Sequence, residues 1–155
     1  MRYIGFTVLG SLFFLAACGG SGNASDAKGP PSYTQEEKKA TADPKGIGEV
    51  KHVELNNPLN QDMISSGKGI YEMKCAACHK LSDKRVVGPG WMGVTERREP
   101  EWIMNMTTNV EVMLADDPVA REMLKECLVQ MPNQNLTVAD AREVLEFMYD
   151  NDTKE

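Results

Sequence analysis

The residues of this chain best placed to do chemistry are Cys75-Ala76-Ala77-Cys78-His79. Two thiols three positions apart can each form a thioether with one of the two vinyl groups of a single haem. The histidine that follows at once is then held against the iron as an axial ligand. The pattern occurs once, so it predicts one haem. Two other chemistries share parts of it, a half zinc site and a thioredoxin-like dithiol. A zinc site takes four ligands, usually through a second Cys/His pair, and the remaining Cys18, Cys127 and His52 stand in no paired spacing. A thioredoxin-like dithiol wants a βαβ context, and the chain has almost no strand pattern.

The segments around the motif agree with export, the condition under which such a haem is attached. Residues 1–17 read as a signal peptide: Arg2 supplies the positive start, and Tyr3 to Ala17 is uncharged and mostly apolar. That stretch falls short of the roughly 20 apolar residues a membrane-spanning helix needs and fits a secretory signal better. Leu15-Ala16-Ala17-Cys18 resembles a bacterial lipobox, in which Cys18 becomes the lipidated first residue of the mature protein. An ordinary cleaved signal with an incidental Cys18 is the alternative. Residues 18–45 are rich in Gly, Ser, Ala, Pro, Lys and Glu and have few large apolar side chains. They read as a flexible tether able to span about 30 Å. Residues 46–59 interleave Ile47, Val53, Leu55 and Leu59 with polar residues and read as an extended arm lying on the domain. Cys127 is left over. It is expected as a buried thiol on a helix face, with disulfide-linked dimerisation as the alternative.

Residues 60–151 read as the compact domain, with helical patterning in four segments. The first helix is predicted over about 62–74, with Met63, Ile64, Gly67, Ile70, Tyr71 and Lys74 at helical spacing. An interior Gly costs about 1 kcal/mol against Ala, so a packing reason for Gly67 is expected rather than an accidental glycine. Pro100 suits the first turn of a helix over 99–109, with Trp102, Ile103 and Met106 on one face. Asp117-Pro118 reads as a cap and first turn, followed by the stripe Val119, Met123, Leu124 and then Cys127 or Leu128. Thr137-Val138-Ala139-Asp140 reads as a capping box with Asp in place of Glu. It opens a last helix, to about Tyr149, with Val138, Ala141, Leu145 and Met148 facing inward.

The run Gly67-x-x-x-Tyr71-x-x-x-Cys75-x-x-Cys78-His79 resembles the N-terminal helix of class I cytochromes c. The resemblance extends over roughly residues 46–151 and implies an all-α fold of about four helices around one covalent haem c. It implies that the last helix crosses the first at Gly67 with Tyr71 packed into the crossing. Val87-Gly88-Pro89-Gly90 resembles the family's loop in which a Pro carbonyl accepts a hydrogen bond from the free ring nitrogen of the haem histidine. Pro89 would then set the tautomer and donor strength of His79. Met131-Pro132, ahead of Leu136-Thr137, resembles the family's distal loop and makes Met131 the expected second axial ligand. Pro132 restricts Met131 to extended backbone. Most other methionines fall in helical stripes, where Met is commonly core filling. Met92 is the rival, and His52 lies in the arm and is a poor candidate.

What the resemblance implies about function is one-electron transfer rather than enzymatic catalysis. Met/His ligation favours a shuttle, and no catalytic constellation stands out. The expected protein is an exported, membrane-anchored lipoprotein facing the periplasm or cell exterior. Its donor would be a quinol-oxidising complex or another cytochrome, and its acceptor a terminal oxidase or reductase. The stretch Thr95–Met106 looks like small cytochromes of respiratory or denitrification systems, which makes nitrous oxide reductase a specific candidate acceptor. No nucleic-acid partner is expected. A haem-based gas or redox sensor and a fixed subunit of an oxidase complex are the alternatives. Charge divides the chain: Lys68–Arg98 has seven Lys/Arg against three Asp/Glu, and Glu99–Glu155 has four against thirteen. Either the basic stretch rims the haem edge and steers an acidic partner, or these charges are scattered and solvated.

Overall fold

The computed structural model describes residues 42–127 and 129–154. The expected signal peptide, Cys18 and most of the tether lie outside the described residues. Six helices follow one another: α1 (Gln61–Lys74), α2 (Val94–Arg97), α3 (Pro100–Thr108), α4 (Val110–Asp116), α5 (Pro118–Lys125) and α6 (Val138–Asp152). Among the described residues the only β pairing is a single antiparallel bridge between His79 and Arg85. Helices α2 and α4 were not expected from the sequence, and both are short.

Local chemistry explains where the helices begin. The Asn60 side chain accepts from the N–H groups of Asp62 and Met63 and starts α1. Pro100 and Pro118 occupy the first turns of α3 and α5, where a missing N–H costs nothing. Asp117 caps α5 through the Ala120 N–H at 2.7 Å. Thr137 and Asp140 form a reciprocal capping box at the start of α6, so the Asp substitutes for Glu without loss of the motif.

The main packing is α1 against α6. A Cβ on Gly67 would lie 2.1 Å from the Glu143 carbonyl oxygen, so only glycine permits this crossing. Tyr71 stacks on Phe147 with ring centroids 5.5 Å apart. Ala141, Leu145 and Met148 are buried as the sequence pattern requires, joined by Val144 and Phe147. Val138 is 40% exposed; it occupies the first helical position, before α6 meets α1.

The arm lies on the domain in extended and turn conformations. Val50 is buried, and Ile47, Val53 and Leu59 pack on the core, whereas Leu55 is 41% exposed. What holds the arm is polar. The wholly buried Asn105 of α3 donates to the carbonyls of Lys45 and Val50 and accepts the Val50 N–H. Buried Glu101 accepts from Lys45 Nζ and the Val53 N–H. Glu146 of α6 has no exposure at all and accepts the Asn60 N–H at 2.7 Å, the Asn56 amide and Arg142. Burial pushes the carboxyl pKa values of Glu101 and Glu146 up, but these donors outweigh it and hold both below the usual value.

Candidate haem site

The attachment motif continues the end of α1 as tight turns. The N–H groups of Cys75 and Ala76 donate to the Tyr71 carbonyl, and those of Cys78 and His79 donate to the Cys75 carbonyl. This winding turns Cys75, Cys78 and His79 toward one cavity of about 1330 Å3, its open mouth included. The Tyr71 hydroxyl donates to the His79 carbonyl at 2.9 Å, fixing the motif from behind. Burial raises the Tyr71 pKa, with Cys75 and Glu72 adding to it, so this hydroxyl keeps its proton.

The loop after His79 supports its ring. His79 Nδ1 lies 2.8 Å from the Pro89 carbonyl oxygen, so Nδ1 carries the proton and Nε2 keeps a free lone pair. Burial holds the His79 pKa below its usual value, opposed by the Pro89 hydrogen bond; the ring is therefore neutral and able to donate that lone pair. A Cβ on Gly88 would come within 2.4 Å of the ring, so glycine is what lets the loop close on it. Trp91 completes the support, its ring centroid 4.9 Å from Tyr71 and 5.8 Å from His79. The loop is tied back by the Gly88 N–H to the Cys78 carbonyl and the Trp91 N–H to the Lys80 carbonyl.

Met131 reaches the same cavity, from the irregular segment between α5 and α6. Met92 does not line it, and His52 lies on the exposed arm beside Glu54 and Glu101. Most of the wall is apolar, with Trp102, Ile103, Leu114 and Met148 prominent. Cys127 is only partly buried, past the end of α5 rather than on its face, and it too borders the cavity.

The two competing chemistries fit less well. The Cys75 thiol is pushed up to about 11, chiefly by burial, which makes it a poor nucleophile for thiol exchange. Among the described residues no group of three or more His, Cys, Asp or Glu is disposed to hold a metal ion. Haem does fit. The cavity is broad and apolar, and two thiols and an imidazole with a free Nε2 converge on it. Arg98 adds a buried Nε–H with no partner among the described residues, on the same wall; that donor suits an acidic group such as a haem propionate.

Comparison with known proteins agrees with this geometry. The family model for cytochrome c matches residues 64–151, and the chain belongs to that family. Its all-α architecture is the class I cytochrome c fold, and its cofactor is covalent haem c. The solved cytochrome c of Rhodothermus marinus is 31% identical, over 73% of this chain and 100% of that one, with a TM-score of 0.69. An engineered form of that cytochrome is 30% identical, over 72% of this chain and 99% of that one, with a TM-score of 0.67. The same engineered protein, solved with a carbene intermediate bound, gives a TM-score of 0.65 at 30% identity and the same coverage. Curated protein sequences return no match.

Several wall residues had no signal in the sequence. Arg98 read only as one charge of the basic Lys68–Arg98 stretch, and Trp102 as one member of a helix stripe. Asp152 accepts from the Gly93 and Thr95 N–H groups and the Thr95 hydroxyl. It thereby fastens the end of α6 to α2, which adjoins the wall, from 57 residues away. Only the tertiary fold brings these groups together.

Proposed function

We propose that this chain is an exported, lipid-anchored monohaem electron carrier. Cys75 and Cys78 carry the haem, His79 and Met131 are its axial ligands, and Pro89 sets the imidazole. When bound, the haem supplies a one-electron iron couple. The protein's part would be to ligate the iron through His79 and Met131 and to exclude water with the apolar wall of the cavity. The observation that carries the reading is that Cys75, Cys78, His79 and Met131 line one apolar cavity. Anchoring by Cys18, through the tether that follows it, would keep the domain near its partners at the membrane. The donor is a quinol-oxidising complex or another cytochrome. The acceptor is a terminal oxidase or reductase, with nitrous oxide reductase the specific candidate.

Spectroscopy of the haem-loaded chain tests this. The reduced wild type is expected to be low-spin and unmoved by CO. Met131→Ala should become high-spin, bind CO and lose potential, because thioether ligation favours the reduced state. A wild type that takes up CO readily would support the sensor reading instead. A low-spin spectrum unaltered in Met131→Ala would remove Met131 from the site. Exposed Lys80 and Lys84 belong to the basic stretch that would steer an acidic partner; their charge reversal should slow electron transfer at low salt and matter little at high salt.

A further inference from the structure

We infer that Arg85 is a positioning residue for Met131: it clasps the loop after His79 to the start of the loop that bears Met131, and so governs how readily that loop lifts. The inference rests on the proposed role of Met131 as second axial ligand. Arg85 stands on the better anchored of the two loops. That loop pairs with His79 across the bridge at Arg85 and is tied to Cys78 and Lys80 through its glycine and tryptophan N–H groups. From there the guanidinium forks across the gap. Nη2 donates to Glu126 Oε2 at 2.8 Å, and Nη1 reaches the Glu126 carbonyl and Cys127 Sγ, each at 3.4 Å.

These contacts fall where regular structure stops. Glu126 caps the end of α5, and helical structure resumes only at Val138. Among the described residues Val129, Gln130 and Met131 take part in no hydrogen bond. Beyond them the loop is held again, by Glu111 at Asn133 (3.1 Å) and by Lys74 at the Gln134 carbonyl (3.0 Å). Met131 therefore hangs between two sets of pins. Upstream, the Glu126 and Cys127 N–H groups donate to the Met123 and Leu124 carbonyls at the end of α5, and Arg85 is what joins these two residues, and so the Met131 loop, to the His79 loop. A planar fork with donors for both a carboxylate and a neighbouring backbone oxygen is a task for Arg that Lys meets only in part. Both partners are exposed, at 41% and 67% of their side chains. Such a pair contributes little to global folding, so its loss should register in loop opening.

The test is imidazole replacement of Met131 in the full-length, haem-loaded ferric protein, followed by absorbance in a stopped-flow instrument. Arg85→Ala should raise the saturating replacement rate about two- to fivefold, which is the range an exposed ion pair of ~0.5–1 kcal/mol allows. Arg85→Lys should recover part of the difference. Arg85→Glu and Glu126→Arg should each speed replacement, and the double charge swap should return toward wild type, with thermal unfolding nearly unmoved. A pure surface-charge effect predicts opposite changes in the two single swaps, because their charge changes have opposite sign; opposite changes, or no recovery by the double swap, would overturn the clasp. So would Arg85→Ala replacing Met131 at the wild-type rate while Met131→Ala admits imidazole faster than wild type. If Met131→Ala admits imidazole no faster than wild type, it is the ligand reading that fails.

Discussion

The arm before α1 and the distal loop between α5 and α6 both lack regular structure, yet they are anchored in opposite ways. The arm's backbone is met by side chains from inside the protein: Asn105 and Glu146 with no exposure, and Glu101 with 4%. The distal loop is met from outside by Arg85, Glu111 and Lys74, all exposed. In a low-dielectric interior a hydrogen bond is stronger, and leaving it unmade costs the full desolvation of the orphaned group. At the surface water replaces the partner, and a charged pair contributes about 0–1 kcal/mol. The arm is therefore part of the core despite its irregular backbone. The distal loop is the element free to open first, and it is the one that carries Met131.

Asn105→Ala should break the arm's side of this contrast most severely. The substitution leaves the buried Val50 N–H and carbonyl, and the part-buried Lys45 carbonyl, without their partner. At about 1–3 kcal/mol per buried orphan, with partial relaxation, we expect a loss of about 3 kcal/mol. Thermal and urea unfolding should show the loss, while the haem spectrum at room temperature stays that of wild type. A spectrum altered as much as the stability would mean the arm acts on the haem site.

Acid should loosen the arm by a smaller amount. Glu101 and Glu146 are held below the ordinary carboxylate value of 4.5, burial being outweighed by their donors. The unfolded chain therefore binds more protons than the native one in the acid range. The stability these groups contribute is complete above their unfolded pKa and is lost as pH falls through the lowered native one. Urea unfolding from neutral pH down to about pH 3 should show a decline, and Glu146→Gln should make it shallower. Parallel curves for the two proteins would show that Glu146 is not part of the acid response.

The same contrast separates what could be read in the sequence from what could not. The starts of α1, α3, α5 and α6 are written locally, in Asn60, Pro100, Pro118 and the Thr137–Asp140 box. Gly67 and Tyr71 pointed to the crossing with α6 through the family resemblance, since a glycine inside a helix says by itself only that something packs close. Helix α4 was missed because seven residues give too little periodicity and a single residue, Asn109, separates it from the end of α3. Helix α2 has four residues, and the side chain that receives its first N–H groups is Asp152. At the site, Cys75, Cys78, His79 and Pro89 stand together within fifteen residues, and the hydrogen bond from His79 to Pro89 is present. Asn105 and Glu146 sit inside helices where a polar residue ordinarily signals a solvent face, so their service to the arm was invisible. The Arg85 clasp spans 41 residues and leaves no local pattern at all.

The smallest effect is expected at the downstream pin of the distal loop. Lys74 Nζ donates to the Gln134 carbonyl at 3.0 Å from an exposed position one residue before Cys75. Removing the amine in Lys74→Met keeps the apolar stem on the cavity wall and exchanges one surface hydrogen bond for water. The global cost should stay at or below about 0.5 kcal/mol. Hydrogen exchange should nonetheless resolve it. The amides of Asn133–Leu136 are predicted to exchange faster in Lys74→Met, while those of the arm, including Val50 and Val53, keep their wild-type protection. Equal acceleration in both regions would mean that Lys74 supports the whole domain. No acceleration in either would leave Asn133 and its bond to Glu111 as the downstream pin.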